Sequence, residues 1–460
     1  MDINKLKKSK TFCPFPFMNL NNNTNGSLKL CCAIFKNDHI KMDDGVEYKI
    51  NEDNFDEAWN SNYMKSVRTK MRDGKFVSEC VGCYNLEQSG VESTRETALR
   101  DYLSDNGHFV WMRDNLIDNI VNTSDDGEVD GKILSLELRL GNHCNLKCMM
   151  CWGYSSSKVN NERLVLLEKK DIPYWLSESW QDEKSVKKEN MLWYEDEKFL
   201  NNFKKIAPNL KRLYVTGGEP TINKALEDMI QILVDSNNDE CYVSWTTNLT
   251  TWNERLYNNL KFFKRAEVQV SIDGFEKSNS YIRAGSTWND IKNNFEKLIL
   301  LPENVKVQVY SVLQFMNTFE LGKLIYWLKN LQYSKQVYFW PIVLEQPLYM
   351  RTKVVPKNLR DDAIKKYKKL LKIKNQYLPN IDEGIERIIK TLNDDWNSEP
   401  MFGDFYHKVK QTQDNQLKMF FQQIYFTEKN TKKENFVETF SEFEDLYNEY
   451  RKSIGINISG

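Results

Sequence analysis

Three cysteines, Cys144, Cys148 and Cys151, lie within one short stretch of this chain, LRLGNHCNLKCMMCWGY. Thiolates are the usual protein ligands of iron-sulfur clusters, and a cubane held by only three of them keeps one iron open. A small molecule can bind at an open iron and receive an electron there. By spacing alone, the three cysteines could also hold zinc together with a distant fourth ligand.

A second set of cysteines lies near the beginning of the chain, where Cys13 and Cys31 are followed by the close pair Cys80 and Cys83. Four thiolates from a hairpin-like segment and a later turn can enclose a metal completely, which suits a structural zinc or an iron-sulfur cluster. Cys32 is an alternative to Cys31 in this set. The chain has nine cysteines, an odd number, and we expect no secretion signal, a combination that argues against a disulfide framework.

The residues that must position the three-cysteine stretch alternate between strand and helix patterns from residue 133 onward. Six strands are predicted at 133–140, 212–217, 241–248, 267–274, 305–315 and 335–343, and helices near 221–234, 252–261, 286–300 and 318–330. This order predicts a parallel sheet with right-handed crossovers. Six strands are too few for a regular eight-stranded barrel, so we expect an α/β fold built as a partial (β/α)6 barrel or an open sheet.

Residues suited to ligand binding follow four successive strands of this prediction. The three cysteines come after the first strand, Gly217-Gly218-Glu219-Pro220 after the second, Asn248 ends the third, and Ser271 lies at the end of the fourth. Ligands of α/β proteins collect at the carboxyl ends of parallel strands. The three-cysteine loop therefore lies where such a fold binds its ligands.

The cysteine spacing, its place after the first strand and the GGEP stretch resemble the radical SAM enzyme superfamily over about residues 133–343. The resemblance implies that the three cysteines hold a [4Fe-4S] cluster whose open iron binds S-adenosylmethionine. Reductive cleavage would then give a 5′-deoxyadenosyl radical that abstracts hydrogen from a substrate. It also implies an electron donor such as flavodoxin or ferredoxin.

Further binding residues are implied by the same resemblance. Gly217, Gly218, Glu219 and Pro220 correspond to a motif that contacts the amino group of S-adenosylmethionine. Ser271 is implied for the ribose hydroxyls, Arg283 for the carboxylate and Asn248 for the cofactor site. A guanidinium fork suits a carboxylate, although Arg283 could also be a surface arginine before a helix and Asn248 a capping residue.

The N-terminal element Gly26-x4-Cys31 resembles the auxiliary-cluster modules called SPASM and twitch. These accompany many radical SAM enzymes that act on peptides and proteins, so the resemblance implies a second [4Fe-4S] cluster and a peptide or protein substrate. Here the module precedes the barrel, whereas it usually follows it, and four thiolates favour the single-cluster twitch form. Zinc remains the alternative at this site, and the Asn-rich stretch 19–26 predicts a turn.

These interpretations divide the chain into a twitch or SPASM-like module (1–95), a linker (96–131), the partial barrel (132–345, with an insertion at about 165–205) and a helical C-terminal region (346–460). The net charge of −1 gives no support to nucleic-acid binding. No segment is apolar enough to span a membrane, and we expect a cytoplasmic protein. Two other functions fit the sequence: a radical SAM enzyme acting on a small metabolite or nucleotide, and a non-catalytic iron-sulfur or zinc scaffold.

Overall fold

The computed structural model of the chain describes residues 3–34, 39–394, 412–431 and 434–453. The chain folds as two compact units. The first comprises Met1–His143, Asn190–Trp245 and Asn253–Ala266, and the second comprises Cys144–Glu189, Thr246–Trp252 and Glu267–Gly460. The predicted α/β class is confirmed, whereas the closure of a partial barrel and the four domain boundaries stay predictions.

All six strands predicted from the sequence are present, and four short strands accompany them. The ten strands of the described residues are β1 (Asn19–Asn22), β2 (Leu28–Lys29), β3 (Ser135–Leu140), β4 (Lys147–Cys148), β5 (Arg212–Gly217), β6 (Tyr242–Thr247), β7 (Ala266–Ser271), β8 (Arg283–Ala284), β9 (Val305–Leu313) and β10 (Val337–Val343).

Helices connect the strands and dominate the C-terminal region, as the sequence predicts. They are α1 (Ile3–Lys7), α2 (Phe55–Trp59), α3 (Asn62–Arg72), α4 (Val81–Gln88), α5 (Thr94–Leu103), α6 (Arg113–Val121), α7 (Ser157–Leu166), α8 (Tyr174–Ser179), α9 (Glu183–Val186), α10 (Glu197–Ile206), α11 (Lys224–Asp235), α12 (Glu254–Asn259), α13 (Lys277–Ile282), α14 (Trp288–Ile299), α15 (Glu320–Asn330), α16 (Lys357–Leu370), α17 (Ile381–Asn393), α18 (Gln413–Asn430), α19 (Phe436–Thr439) and α20 (Glu444–Ser453). Residues 395–411, 432–433 and 454–460 of the predicted C-terminal region lie outside the described residues.

The sheet of the first unit has the strand order β2-β1-β3-β5-β6. Strands β1, β3, β5 and β6 run parallel, and β2 returns antiparallel to β1. The prediction of a turn over residues 19–26 is therefore wrong for Asn19–Asn22, which form β1. Pairing with β3 overrides the low strand propensity of asparagine, because β-propensity depends strongly on packing partners. The turn itself is confined to Asn23–Gly26, where Gly26 adopts a φ of 85°.

The second unit contains the strand order β7-β9-β10, with β9 and β10 parallel over seven residue pairs. Strands β4 and β8 form a separate antiparallel pair in which Cys148 lies opposite Arg283. The inward residues of β9 alternate with more exposed ones, as expected for a strand buried on one side. The helices described here are all too short or too polar to cross a membrane.

Candidate functional site

The three-cysteine loop begins directly after β3 and is held at its centre by backbone pairing. Cys148 pairs with Arg283 in the β4-β8 ladder, and the Met149 amide donates to the Ile282 carbonyl at 2.8 Å. The Cys151 amide donates a hydrogen bond to the Cys148 carbonyl at 3.1 Å. Cys144 and Cys148 are buried, Cys151 is half-buried, and all three pack in one small cluster around Leu146. The loop therefore brings the three predicted ligands together.

Two donors point at the sulfurs of this loop. The Leu146 amide lies 3.5 Å from Cys144 Sγ, and Arg283 Nη1 lies 3.8 Å from Cys148 Sγ. Arg283 is itself fixed by Asp273, whose Oδ2 lies 2.7 Å from Arg283 Nε. The hydrogen bond with Cys151 lowers the pKa of the Cys148 thiol, and the Arg283 charge lowers it further. This environment stabilises a thiolate at Cys148.

A buried carboxylate supports the end of the loop. Glu183 is 4% exposed and accepts hydrogen bonds from the Gly153 amide at 3.1 Å, from Asn160 Nδ2 at 2.8 Å and from Arg163 Nη1 at 2.7 Å. Arg163 also donates to the Cys151 carbonyl at 2.6 Å. A Cβ at Gly153 would lie 1.9 Å from Glu183 Oε2, so glycine is needed for this close approach. The chain after Cys151 is thus fixed by α7 and α9.

The glycine pair of GGEP packs against the backbone that follows β3. The Gly218 amide donates to the Gly141 carbonyl at 3.1 Å, and the Glu219 amide donates to the His143 carbonyl at 2.8 Å. A Cβ on Gly218 would lie 2.1 Å from the His143 oxygen. Close backbone packing within the first unit therefore explains Gly218 by itself, without any ligand.

Glu219 and Pro220 begin the short helical turn that follows the glycine pair. Glu219 is 1% exposed, and its Oε1 accepts hydrogen bonds from the Thr221 amide at 3.1 Å and from Thr221 Oγ1 at 2.7 Å. Pro220 occupies the first position of the turn, where proline is favoured. The carboxylate of Glu219 thus caps its own chain segment.

Two other predicted binding residues, Asn248 and Ser271, belong to the second unit. Asn248 donates to Asn145 Oδ1 at 2.9 Å, and its own Oδ1 accepts from the Thr250 amide at 3.0 Å. It therefore reaches the cysteine loop through Asn145. Ser271 ends β7 and is half-buried. The cofactor contacts implied for these residues stay predictions.

Four N-terminal cysteines line one cavity of the first unit. Its walls include Cys13, Cys31, Cys80 and Cys83, which come from three separate segments of the chain. Cys32 is not among the lining residues; its electrostatic neighbours are Glu137, Cys31, Arg212 and Arg139. The structure thus favours Cys31 over Cys32 as the fourth thiol of this set.

The thiols of this cavity lie in a less favourable environment for negative charge than Cys148. Burial raises the pKa of Cys31 and of Cys80 to about 12, and burial together with repulsion from Cys31 also raises the pKa of Cys13. Arg95 supports the cavity through backbone contacts. Its Nη1 donates to the carbonyls of Ser9 and Phe12, each at 3.1 Å, and the guanidinium pairs with Glu87.

Each of the nine cysteines, all within the described ranges, is a free thiol. In the described parts of the chain, no group of three or more His, Cys, Asp or Glu is gathered tightly enough for a single metal ion. Both cysteine sets consist of thiols, the usual ligands of iron-sulfur clusters, and a cubane distributes its thiolates over different irons. The residues of both sets therefore fit the clusters that the sequence implies.

Several residues of these sites were not identified as site residues by the sequence interpretation. Glu183, Arg163 and Arg95 all act through contacts with residues distant in the chain, and no local pattern marks them. Asp273 could have been suspected from the sequence, because it lies at the end of a predicted strand, two residues after the last residue of β7. Its pairing with Arg283 becomes visible only in the folded chain.

Residues 138–308 match the sequence profile of the Radical SAM superfamily. The matched segment contains the three cysteines of the loop, the GGEP stretch, Asn248, Ser271 and Arg283. The chain thus contains a radical SAM domain, and the match supports an enzyme with that mechanism. No curated protein sequence matches the chain.

Similar solved structures include SuiB from Streptococcus suis bound to S-adenosylmethionine, with 12% identity and a TM-score of 0.30 over 61% of this chain and 57% of that one. SuiB bound to the precursor peptide SuiA has 12% identity and a TM-score of 0.28, covering 60% of this chain and 56% of that one. TYW1 with a lysine-pyruvate adduct bound has 16% identity and a TM-score of 0.27, covering 50% of this chain and 70% of that one. The chain spans a little over half the length of SuiB. TM-scores this low do not establish a shared fold.

Proposed function

Because residues 138–308 form a radical SAM domain, we propose that this protein cleaves S-adenosylmethionine reductively and abstracts hydrogen from a peptide or protein substrate. A [4Fe-4S] cluster bound by Cys144, Cys148 and Cys151 would supply the electron for that cleavage, with flavodoxin or ferredoxin as the external donor. A second cluster, of the twitch type, would be held by Cys13, Cys31, Cys80 and Cys83.

The observation that carries the proposal is the loop geometry around Cys148. Three thiols share one loop, the central one pairs with Arg283 across a short ladder, and the Arg283 guanidinium lies 3.8 Å from the Cys148 sulfur. Hydrogen bonds and positive charge near cysteine sulfurs tune an iron-sulfur cluster, and the partners that orient such groups contribute as well. Asp273 is such a partner, because it is fully buried and holds Arg283 in place.

The chain's own residues have separable tasks in this proposal. Glu183 and Arg163 fix the backbone from Cys151 to Gly153, so that the third thiol keeps its position. Arg283 remains the proposed partner of the S-adenosylmethionine carboxylate, and the glycine pair would leave backbone accessible to its amino group. Ser271 and Asn248 complete the proposed cofactor contacts.

The substrate class is supported by the second cysteine set. Four thiols in one cavity match the ligand number of an auxiliary cluster, and the Gly26-x4-Cys31 element resembles modules of peptide-modifying enzymes. SuiB, in one of the similar structures, is bound to a precursor peptide. Because its TM-score is only 0.28, this similarity is not an argument about the substrate. The proposal of a peptide substrate therefore depends on the N-terminal cysteine set.

The proposal is tested with protein reconstituted anaerobically with iron and sulfide, then mixed with dithionite and S-adenosylmethionine. We expect 5′-deoxyadenosine, measured by liquid chromatography, from the wild type and none from Cys148→Ala. The matched control is Cys241→Ala, which alters a buried cysteine outside both sets and should retain product formation. Absence of 5′-deoxyadenosine from wild-type protein with an intact cluster, or full activity of Cys148→Ala, would refute the proposal.

A further inference from the structure

One face of the first unit's sheet is polar although much of it is buried. Side chains alternate across a strand, and the register places Asn19, Ser135, Arg212 and Tyr242 in one row. The next row contains Asn21, Glu137, Tyr214 and Ser244, and a third contains Arg139 and Thr216. We name these ten residues the polar face.

The opposite face of the same strands shows what an ordinary buried surface would contain. Apart from Asn22, whose side-chain amide bonds the Arg139 backbone, this face is apolar, and its residues at most 1% exposed include Leu20, Leu136, Leu138, Leu213, Val215, Val243 and Trp245. Parallel strands covered on both sides usually carry apolar residues on both sides. The polar face is therefore a feature that core packing does not explain.

Two asparagines of the polar face have amide groups that no described residue satisfies. Asn19 is 1% exposed and Asn21 is fully buried, and neither the Nδ2 nor the Oδ1 atom of either side chain has a hydrogen-bond partner in the described chain. Buried polar groups are normally paired, because an unpaired one loses its hydration without compensation. Asn22, equally buried on the same strand, shows the normal case: its Oδ1 accepts from the Arg139 amide at 3.0 Å.

The polar face carries more positively charged side chains than negatively charged ones. Arg139 and Arg212 share the face with a single carboxylate, Glu137, which interacts electrostatically with Arg212. Lys29, opposite Asn21 on β2, adds a third cation. The guanidinium carbon of Arg212 lies 5.4 Å from the ring centre of Phe109 and 5.3 Å from that of Tyr214, and its Nη1 donates to Ser135 Oγ at 3.2 Å. An arginine held in this way presents its remaining donors in a fixed direction.

The polar face extends between the two ends of the strands. Cys13 precedes β1 and Cys31 follows the antiparallel β2, so these cysteines lie toward the amino ends of the parallel strands. Gly217 and Gly218 lie at the carboxyl end of β5. Arg139, Arg212, Tyr214 and Thr216 are only half-buried, so solvent reaches part of this face.

We propose that the polar face binds an acidic side chain of the peptide substrate together with the amide groups beside it. The arginine forks suit a carboxylate, and the asparagine amides each offer both a donor and an acceptor, as a peptide bond requires. A nucleotide phosphate fits less well, because it only accepts hydrogen bonds and would leave the two asparagine oxygens unpaired. The inference depends on the proposed function in one respect, that the substrate is a peptide.

The test uses two dye-labelled, capped peptides, Ala-Ala-Asp-Ala-Ala and Ala-Ala-Asn-Ala-Ala, titrated with reconstituted protein. Saturating S-adenosylmethionine is present, reductant is absent, and binding is followed by fluorescence anisotropy. We expect the Asp peptide to bind about tenfold more tightly than the Asn peptide, and Arg212→Gln to abolish this preference. The matched control, Arg255→Gln, changes an exposed arginine of α12 paired with Glu227 and should keep the preference.

Equal binding of the two peptides to the wild type, a preserved preference in Arg212→Gln, or tighter binding of adenosine monophosphate than of the Asp peptide would each overturn the inference. Because no reductant is present, these outcomes are independent of 5′-deoxyadenosine formation. Failure of the inference and failure of the proposed function are therefore distinguishable.

A second pair of variants keeps the inference testable if Arg212→Gln does not fold. Asn21→Leu should keep or raise the melting temperature, since it removes an unpaired buried amide, while weakening Asp-peptide binding severalfold. Asn22→Leu should lower the melting temperature, because it leaves the Arg139 amide without its acceptor. The inference would be contradicted if Asn21→Leu had a melting temperature as low as that of Asn22→Leu. It would also be contradicted if Asn21→Leu bound the Asp peptide as tightly as the wild type does.

Discussion

The two cysteine sets differ in how the chain assembles them and in what surrounds their sulfurs. Cys144, Cys148 and Cys151 occupy one loop, and Arg283 lies against the sulfur of the central thiol. The cavity that contains Cys13 is built from three segments, and its arginine, Arg95, donates to backbone carbonyls. The surroundings of Cys148 therefore favour a thiolate, whereas the N-terminal set gathers four buried or half-buried thiols around one cavity.

The largest expected effect separates the two sets by metal content. Cys80→Ala should lose the iron of the N-terminal centre and retain that of the loop, so that iron falls to about half of the wild-type amount if both centres are cubanes. The measurement is iron, sulfide and zinc per chain after anaerobic reconstitution. Cys32→Ala is the matched control and should retain all metal, because Cys32 does not line the cavity. Equal metal loss in the two variants would remove the distinction between Cys31 and Cys32.

Arg283 and Arg95 can each be replaced to test whether a positive charge acts on the sulfurs of its cysteine set. Arg283→Met and Arg95→Met each leave a carboxylate, Asp273 or Glu87, without its partner, which costs about 3–5 kcal/mol for a buried pair. Urea unfolding should show both losses. Only Arg283→Met should also shift the reduction potential of the loop cluster to a more negative value, because it removes a positive charge beside a thiolate.

Arg283→Lys serves as the conservative variant in that experiment. It keeps the charge near Asp273 and should recover most of the potential, although lysine lacks the forked geometry of arginine. If Arg95→Met shifted the potential of the loop cluster as much as Arg283→Met, the assignment of charge stabilisation to Arg283 would be wrong.

A smaller effect is expected where the cysteine loop packs against Glu183. Gly153→Ala would place a methyl group against the buried carboxylate, and overpacking of this kind costs about 1–3 kcal/mol. Urea unfolding measures the change. Gly322→Ala is the control: a Cβ at this glycine of α15 would make ordinary van der Waals contact with Leu370 and Tyr367 at 3.8 Å, so alanine should raise stability by about 0.4–1 kcal/mol. A Gly153→Ala variant as stable as the wild type would show that the loop adjusts freely.

The smallest effect concerns the helix that carries Arg95. Ser93 caps α5 by accepting from the Glu96 amide at 3.1 Å, in a reciprocal capping box. Ser93→Ala should cost about 1 kcal/mol in the free energy of unfolding, and Ser93→Asn, which can still cap, should restore most of it. Loop-cluster iron should stay unchanged in both variants. Loss of that iron would show that the two cysteine sets are not independently assembled.

Much of the site could be predicted from the sequence because its pattern is local. The alternation of apolar residues gave all six long strands, and the spacing of Cys144, Cys148 and Cys151 placed three thiols after the first of them. Strand β1 was missed because three of its four residues are asparagines, whose propensity favours turns. Its formation depends on β3, which follows more than a hundred residues later.

Adjacent residues with different surroundings in the folded chain show best what the sequence could not predict. Cys31 and Cys32 are adjacent, yet only Cys31 lines the four-thiol cavity. Asn21 and Asn22 are adjacent and equally buried, yet only Asn22 has partners for its amide. The spacing from Gly26 favours Cys31, but no local pattern distinguishes Asn21 from Asn22, because the Arg139 backbone that bonds Asn22 comes from a distant segment.

The sequence by itself determined the strand-helix order, the three-cysteine loop and its resemblance to radical SAM enzymes, since each depends on spacing within one stretch of chain. Only the tertiary structure showed that Cys31 and not Cys32 lines the N-terminal cavity, that Arg283 lies against the sulfur of Cys148, and that the buried amides of Asn19 and Asn21 have no partner among the described residues. The physical reason is that hydrogen bonds, ion pairs and burial depend on distances in space, and the pairing of distant strands sets those distances.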